Sequence, residues 1–234
     1  MRNPITDAEI VKLARDLAVE PAELDFLRDS PAEALMSLRN AVAAKLDEPH
    51  RPMFKRLAKA SALVPVALAA TIAKKFFPPV LCGAVASEIA ADKAEGFLAH
   101  MPLEFVTDIS GYIDPALSQH LVQAIGVDVV VGVTNGLLEK GDVVTVARMV
   151  GATSDAQAAA IVPLLSDGDL LLDVLFYSDA GSGMARALDL AGDEQITALA
   201  RAAVARDHVD VLRGLVADID AGAAERVEKA LAGH

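Results

Sequence analysis

The chain has 234 residues and a formal net charge of −12, and only 4% of its residues are aromatic. Because nucleic-acid-binding proteins present a basic surface, this balance excludes DNA and RNA as expected partners. Its one cysteine, Cys82, cannot form an internal disulfide, and the longest weakly polar stretch, 60–73, is shorter than the ~20 apolar residues that a membrane span requires. The sequence therefore predicts a cytoplasmic protein, and it leaves open a peripheral contact with the inner membrane.

Residues 1–49 have the pattern of a helical module. Thr6 and Glu9 are spaced as a capping box, in which a hydroxyl and a carboxylate each accept from the other's free backbone N–H. Ser30 and Glu33 repeat this spacing, with a proline between them at the first helical position. The helix that follows is predicted to place one apolar stripe on its partner: Leu35, Leu38, Val42 and Leu46.

Residues 50–79 form a basic apolar segment, predicted to be one or two helices interrupted near Pro65 and ended at Pro78-Pro79. The segment contains no Asp or Glu and six cations: Arg51, Lys55, Arg56, Lys59, Lys74 and Lys75. The remainder of the chain has 15 cationic and 33 anionic residues, a balance of −18. This asymmetry is the most unusual global feature of the sequence.

Two interpretations of the basic segment remain open. In the first, the six cations contact an anionic membrane or other anionic surface, and Phe54, Phe76 and Phe77 anchor the segment at the interface. In the second, its apolar side is core and its lysines are simply solvated, facing the acidic remainder of the chain.

Residues 80–234 show a regular succession of short helices. Helix breakers and capping residues recur about every 13 residues between Asp92 and Asp220, which leaves room for one short helix and one tight link in each interval. Two helices per unit give a repeat of about 26 residues, so the sequence predicts an all-α, α-solenoid-like superhelical array of short antiparallel helices. Residues 127–133 are rich in valine and read equally as a strand, but their place within one interval favours a helix.

The repeat resembles the cytosolic N-terminal domain of MgtE-type magnesium channels over residues 79–231. The family's loose pattern of Leu pairs, Pro or Asp with an acidic residue, and small residues is matched by Phe97-Leu98, Met101-Pro102-Leu103-Glu104, Ile113-Asp114-Pro115 and Leu121-Val122. The resemblance implies a superhelix of short helices. Since no position matches a magnesium-site residue of that family, it implies nothing about transport.

The glycine-rich stretch 179–183 follows the apolar run 170–177, in the order of a strand and a phosphate-binding loop. Arg186 stands where the third glycine of such a loop is expected, and no second strand with an acidic end follows. The favoured interpretation is therefore a helix link with Asp179 as a cap, and an enzyme that uses Gly181–Gly183 is the less favoured one.

No arrangement of residues predicts catalysis, a cofactor or a metal. Asp167, Asp169 and Asp173 have a spacing that would suit a hard cation, but the first two also suit the start of a helix, so caps are favoured. Cys82 has no basic neighbour in sequence and is expected in the core. The histidines lack metal-type pairing and are expected to be solvated: His50, His100, His120, His208 and His234.

The high apolar content, 53% of residues, decides the functional prediction. An open solenoid with a polar concave face needs less apolar sequence, so either the array has a thick core or its concave face holds an apolar molecule. We predict a non-catalytic protein that binds a hydrophobic, lipid-like ligand and contacts a membrane surface. The alternative is a helical-repeat scaffold for a partner protein.

Overall fold

The computed structural model describes residues 3–113, 115–179 and 182–233, and within these ranges the chain is all-α, without strands. The all-α prediction is therefore confirmed. The valine-rich stretch after Gly126 is helical, as favoured over the strand. The basic segment forms two helices on either side of Pro65, as predicted.

Sixteen α-helices and two 3-10 segments follow one another along the described chain. The helices are α1 Pro4–Leu17, α2 Ala32–Asp47, α3 Arg51–Ser61, α4 Val66–Phe76, α5 Pro79–Ala86, α6 Ala91–Leu98, α7 Leu103–Ser110, α8 Pro115–Ala124, α9 Val127–Glu139, α10 Val143–Val150, α11 Asp155–Ile161, α12 Gly168–Tyr177, α13 Ser182–Leu190, α14 Asp193–Ala205, α15 Val209–Ile219 and α16 Ala221–Leu231. The 3-10 segments are Pro21–Leu27 and Val162–Leu164.

From α3 onward, most helices pack mainly on the helix two places further along the chain. The odd helices form one row from α3 to α15, and the even helices form a second row, packed from α4 to α8 and from α10 to α16. The even helices begin at residues 66, 91, 115, 143, 168, 193 and 221, which are 24 to 28 residues apart. This spacing agrees with the two-helix repeat of about 26 residues that the sequence predicts. The superhelical, solenoid-like shape stays a prediction.

Helices of this length leave most of their C-terminal carbonyls without an intrahelical partner. Here a side chain from the helix three places later donates to them. Gln157 of α11 donates to the carbonyls of Val122, in the last turn of α8, and of Ile125, the residue after α8, at 2.8 and 2.7 Å. The same relation holds between α14 and α11, α13 and α10, and α16 and α13, through the donors Gln195, Arg186 and Arg226.

The N-terminal module packs differently from the two rows. Helix α1 lies between α2 and the first 3-10 segment on one side and α12 on the other. Its residues are buried almost all round, including Ala8, Leu13 and Ala14. The main apolar core runs through α9 to α16 and takes in Ala8 of this helix.

Both predicted capping boxes of this module are wrong. Helix α1 begins two residues before Thr6, because the Asn3 side chain accepts from the Ile5 N–H at 3.0 Å and Pro4 follows it. Helix α2 begins at Ala32, with no side-chain cap at Pro31. In both places a proline with a fixed φ angle sets the start of the helix.

The predicted stripe of α2 is also only partly right. Leu35 is buried, but Leu38 and Leu46 are 43% and 50% exposed, and the main helix partner of α2 is α1. The buried position one turn after Leu35 is instead Arg39.

Replacing Gln157 by Met is expected to lower the free energy of unfolding by about 2–4 kcal/mol, since buried carbonyls at the end of α8 and the N–H of Ser154 would lose their partner. Urea unfolding followed by circular dichroism measures this loss. The matched control is Gln195→Met, which removes the same bonds at a half-buried position, where water can replace them. Equal losses for the two variants would contradict this account of the caps.

Candidate functional site

The largest concentration of exposed apolar side chains lies on α3, α4 and the start of α5. Sixteen large apolar residues are exposed in the described chain, and seven of them fall between residues 53 and 80: Met53, Leu63, Val64, Leu68, Ile72, Phe76 and Val80. We call this surface, together with the cations of the basic segment, the end surface, because α3 and α4 are the first members of the two rows.

The orientation of α4 follows from its small residues. Ala69 and Ala70 are buried against Phe97 of α6, where their short side chains let the two helices approach closely. The large residues Leu68, Ile72 and Phe76 are spaced four apart, so they form one stripe along the helix, beside the buried Ala69. Their side chains are 50%, 37% and 67% exposed. The result is an apolar stripe that remains partly open to solvent in the described chain.

The same two helices also carry the cations of the end surface. Lys55, Arg56, Lys59, Lys74 and Lys75 are all exposed, and none of them forms an ion pair within the described residues. Arg51 differs, because its Nε lies 3.0 Å from the Glu88 carboxylate. The Lys75 ammonium lies 5.5 Å from the centre of the Phe76 ring, a cation–π distance.

Of the three predicted aromatic anchors, Phe76 is exposed, while Phe54 and Phe77 are half-buried. Sequence analysis missed the aliphatic part of the surface, above all Leu68 and Ile72. The signal that could have found them is the alanine pair at 69–70, since small residues mark the face on which a helix packs closely.

The other end of the rows has a different character. Helices α15 and α16, which are described throughout, expose no large apolar side chain, and their apolar residues Leu212, Val216 and Val227 are buried. The first repeat therefore lacks the polar outer face that end repeats of a helical array need in water, whereas the last repeat has it.

A second candidate site is a small apolar cavity between the two stretches of the even row. Its volume is about 60 Å³, and its lining comes from helices α7 to α11 and their links, with Val129, Val133, Leu121 and Met149 among its walls. Pockets for small molecules usually measure about 300–1,000 Å³. A lipid-like ligand would therefore require α8 or α9 to move apart from α10.

The third region surrounds Asp179, the residue before the predicted glycine loop. Asp179 was expected to be a cap, but it accepts from Lys12 of α1 at 2.9 Å and from Arg39 of α2. Lys12 and Arg39 also pair with Glu9, and these three side chains are 5% exposed or less. Residues 180 and 181 lie outside the described ranges, so the loop interpretation is not tested there.

Two further ion pairs join α1 to the array. The two terminal guanidinium nitrogens of Arg15, Nη1 and Nη2, donate to the Asp142 carboxylate at 2.6 and 2.9 Å. As the N-cap of α10, Asp142 also accepts from Thr145. Asp16 and Arg148 approach to 3.7 Å. We call these eight residues the ionic latch: Glu9, Lys12, Arg15, Asp16, Arg39, Asp142, Arg148 and Asp179. Its four cations balance its four carboxylates.

The pKa values of the latch carboxylates diverge. Burial by itself would raise the pKa of Asp142, but hydrogen bonds from Arg15 and Thr145 hold it below the ordinary value. Burial opposes Lys12 and Arg39 in the same way at Asp179, whose pKa is also lowered. At Asp16 burial prevails over Arg148 and Arg39, so its pKa is raised.

The remaining sequence candidates have structural partners. Asp167 caps α12 at Leu170, and both Asp169 and Asp173 face Arg206, with the shorter contact, 2.7 Å, to Asp173. Among the described residues, no group of three or more His, Cys, Asp or Glu side chains could hold a metal ion. Arg186 donates to the Thr153 carbonyl, which explains why arginine rather than glycine stands there.

Cys82 is buried, as expected, and burial raises the pKa of its thiol. His50, His100 and His120 are exposed, and Nε2 of His120 lies 3.3 Å from the Ile89 carbonyl oxygen. His208 departs from the prediction of solvated histidines, because its ring packs edge-on against Phe176 and its Nδ1 is buried. His234 lies outside the described ranges.

No single helix in the described chain is long and apolar enough to cross a membrane, although residues 118–124 and 127–139 pass that test jointly as a pair bent by 112°. Comparison with known protein families, curated proteins and solved structures gives no match. The MgtE resemblance therefore stays a prediction from the sequence.

Asp142→Asn keeps a capping side chain at α10 but removes the charge that Arg15 binds. The folded-state pKa of Asp142 lies below its ordinary value of 3.8, so its charge stabilises the fold above about pH 4, and this contribution is lost as pH falls through the folded pKa. The variant should unfold about 1–2 kcal/mol more easily at pH 7, and its difference from wild type should shrink below pH 3.8. Urea titrations at several pH values measure this, with the exposed Asp128→Asn as control; a difference that does not vary with pH would contradict the assignment.

Proposed function

We propose that the protein is a non-catalytic binding protein whose end surface docks on anionic membranes. The observation that carries this proposal is the exposed apolar stripe of α4, Leu68, Ile72 and Phe76, on a helix whose last turn carries Lys74 and Lys75, with Lys75 against the Phe76 ring. An interface that is apolar in the middle and cationic at its edge is what a helix lying in the headgroup region presents.

Electrostatics favours an anionic surface over a neutral one. Each Lys or Arg near an anionic leaflet contributes on the order of 1 kcal/mol, and this attraction fades within a Debye length of ~10 Å. The end surface keeps five exposed cations without ion pairs in the described chain, while the remainder of the chain is strongly acidic. A membrane therefore attracts this end of the molecule and repels the rest, so docking is oriented.

The apolar stripe supplies the second part of the binding energy. Burying a fully exposed large aliphatic or aromatic side chain yields ~1.5–3 kcal/mol, and the three stripe residues are about half exposed already, so together they add roughly half of the full value for three side chains. Leu63, 87% exposed in the link between α3 and α4, is placed to add a fourth. Two weak signals of this kind together give stable but reversible attachment.

A second candidate is storage of a small apolar molecule in the cavity between α7 and α11. Its walls are almost entirely aliphatic, and α8 and α10 belong to separately packed stretches of the even row, so they can separate without breaking that packing. This keeps the lipid-like ligand predicted from the sequence as a proposal. The scaffold alternative stays open too, since an acidic partner protein would suit the same end surface.

Changing Lys55, Arg56, Lys74 and Lys75 to Glu should abolish sedimentation with vesicles of anionic phospholipid at low salt, because four charges are reversed where contact occurs and the net charge falls by eight units. A vesicle sedimentation assay measures the bound fraction, and helicity by circular dichroism should be unchanged. About 0.5 M NaCl should have the same effect on wild type, since exposed charges are screened.

The matched control reverses four exposed cations away from the end surface: Arg28, Lys45, Arg201 and Lys229. This variant has the same net charge as the first and should still bind. A third variant, Leu68→Ser with Ile72→Ser, should bind more weakly while keeping its salt dependence. If wild type ignores anionic vesicles at low salt but captures an acidic protein, the scaffold alternative replaces the membrane proposal.

The cavity proposal predicts that native mass spectrometry of the purified protein shows a bound apolar molecule. Val133→Phe, which fills the cavity from α9, should remove that mass while leaving vesicle binding intact. A spectrum of the bare chain, with vesicle binding retained, would eliminate the stored ligand and leave the membrane proposal standing.

A further inference from the structure

The face of α1 that contacts the array is mainly ionic. Ile5, Ala8, Lys12 and Arg15 are spaced three or four apart and so lie on one side of the helix, and of these only Ile5 and Ala8 pack against the main apolar core. The two cations reach array carboxylates instead. The opposite side of α1 packs on α2 and the 3-10 segment, so the module has its own internal contacts.

Helix α1 contacts the array at two separate links between helices. Asp142 stands at the start of α10 and Asp179 directly after α12, and together they accept from side chains three residues apart on α1. Their lowered pKa values keep both carboxylates charged near neutral pH. This surface thus recognises a specific pattern: a helix with two basic residues at positions i and i+3 beside small apolar residues.

An ionic contact of this kind holds the module less firmly than an apolar one of equal area. Removing charges from water costs free energy that their attraction only roughly repays, and salt weakens the pairs that remain partly exposed. Asp16 and Arg148, at 3.7 Å, are too far apart for a hydrogen bond. The tether through α2 keeps α1 at high effective concentration, so the surface stays covered until a stronger competitor arrives.

We propose that the N-terminal module is a releasable cover, and that the surface beneath α1 on α10 and α12 binds an amphipathic helix of a partner protein carrying two basic residues three positions apart. Helix α1 is the built-in competitor of that partner. The acidic character of the remaining chain draws basic helices toward this surface. The proposal is independent of membrane docking, which uses α3 and α4 at the start of the rows.

A labelled synthetic peptide of residues 3–18 serves as the probe for this surface. In the full-length variant Lys12→Glu with Arg15→Glu, α1 is repelled from Asp142 and Asp179, so fluorescence anisotropy should show at least tenfold tighter peptide binding than to wild type. A peptide carrying the same two changes should bind neither protein. The control variant Arg28→Glu with Lys45→Glu, which has the same net charge, should behave as wild type.

Hydrogen exchange of the wild-type protein tests release without any substitution. The amides of α1 should exchange faster than those of α14, and adding salt should accelerate α1 alone, because the latch is electrostatic. Exchange of α1 that is as slow as that of α14 and insensitive to salt would overturn the proposal. So would a peptide that fails to bind the double variant when exchange shows α1 released.

Discussion

The structure depends on how very short helices satisfy their terminal backbone groups. A helix of eight residues, such as α7 or α10, has as many carbonyls without an intrahelical partner as with one, and its nucleation is unfavourable by itself. Gln157 meets this constraint at two helix ends, because its Oε1 accepts from the N–H of Ser154, the N-cap of its own helix, while its Nε2 donates to carbonyls three helices earlier. Gln195 repeats the arrangement one turn of the array later. The ends of α8, α10, α11 and α13 are thus completed by a side chain from another helix.

The two ends of the rows are where this mutual completion stops. At the C-terminal end of the rows, α15 and α16 have polar outer faces and an ion pair between Arg213 and Glu228. Helices α3 and α4 instead leave Leu68, Ile72 and Phe76 facing outward. An end repeat that remains apolar needs another surface to cover it. Because the end surface is cationic, the surface that covers it should be anionic.

The parts of this molecule that could be predicted from sequence are those governed by local chemistry. Ser154, Asp167 and Asp220 each cap a helix as their residue types predict, and Pro65 separates two helices. Contacts between distant parts of the chain could not be predicted in this way. Nothing local indicates that Glu9 pairs with Arg39, or that Asp179 receives Lys12 from 167 residues away, since each looks like an ordinary surface charge in its own helix. For the same reason the end surface was predicted through its cations, whereas its aliphatic stripe became visible only once Ala69 and Ala70 were seen to face α6.

The distribution of cations connects the two binding surfaces. In a chain with 33 carboxylates and 21 Lys and Arg residues, cations are the scarcer charge. Four of them belong to the latch and five are exposed on the end surface, so both surfaces are places where the general acidity is locally reversed or neutralised. Release of the module would remove Lys12, Arg15 and Arg39 from the array, so Asp142 would lose Arg15 and Asp179 would keep Arg148 as its neighbouring cation. The array surface would then become more acidic and would be repelled more strongly from an anionic membrane, which favours an orientation in which the end surface faces the membrane and the uncovered α10–α12 surface faces a partner in solution.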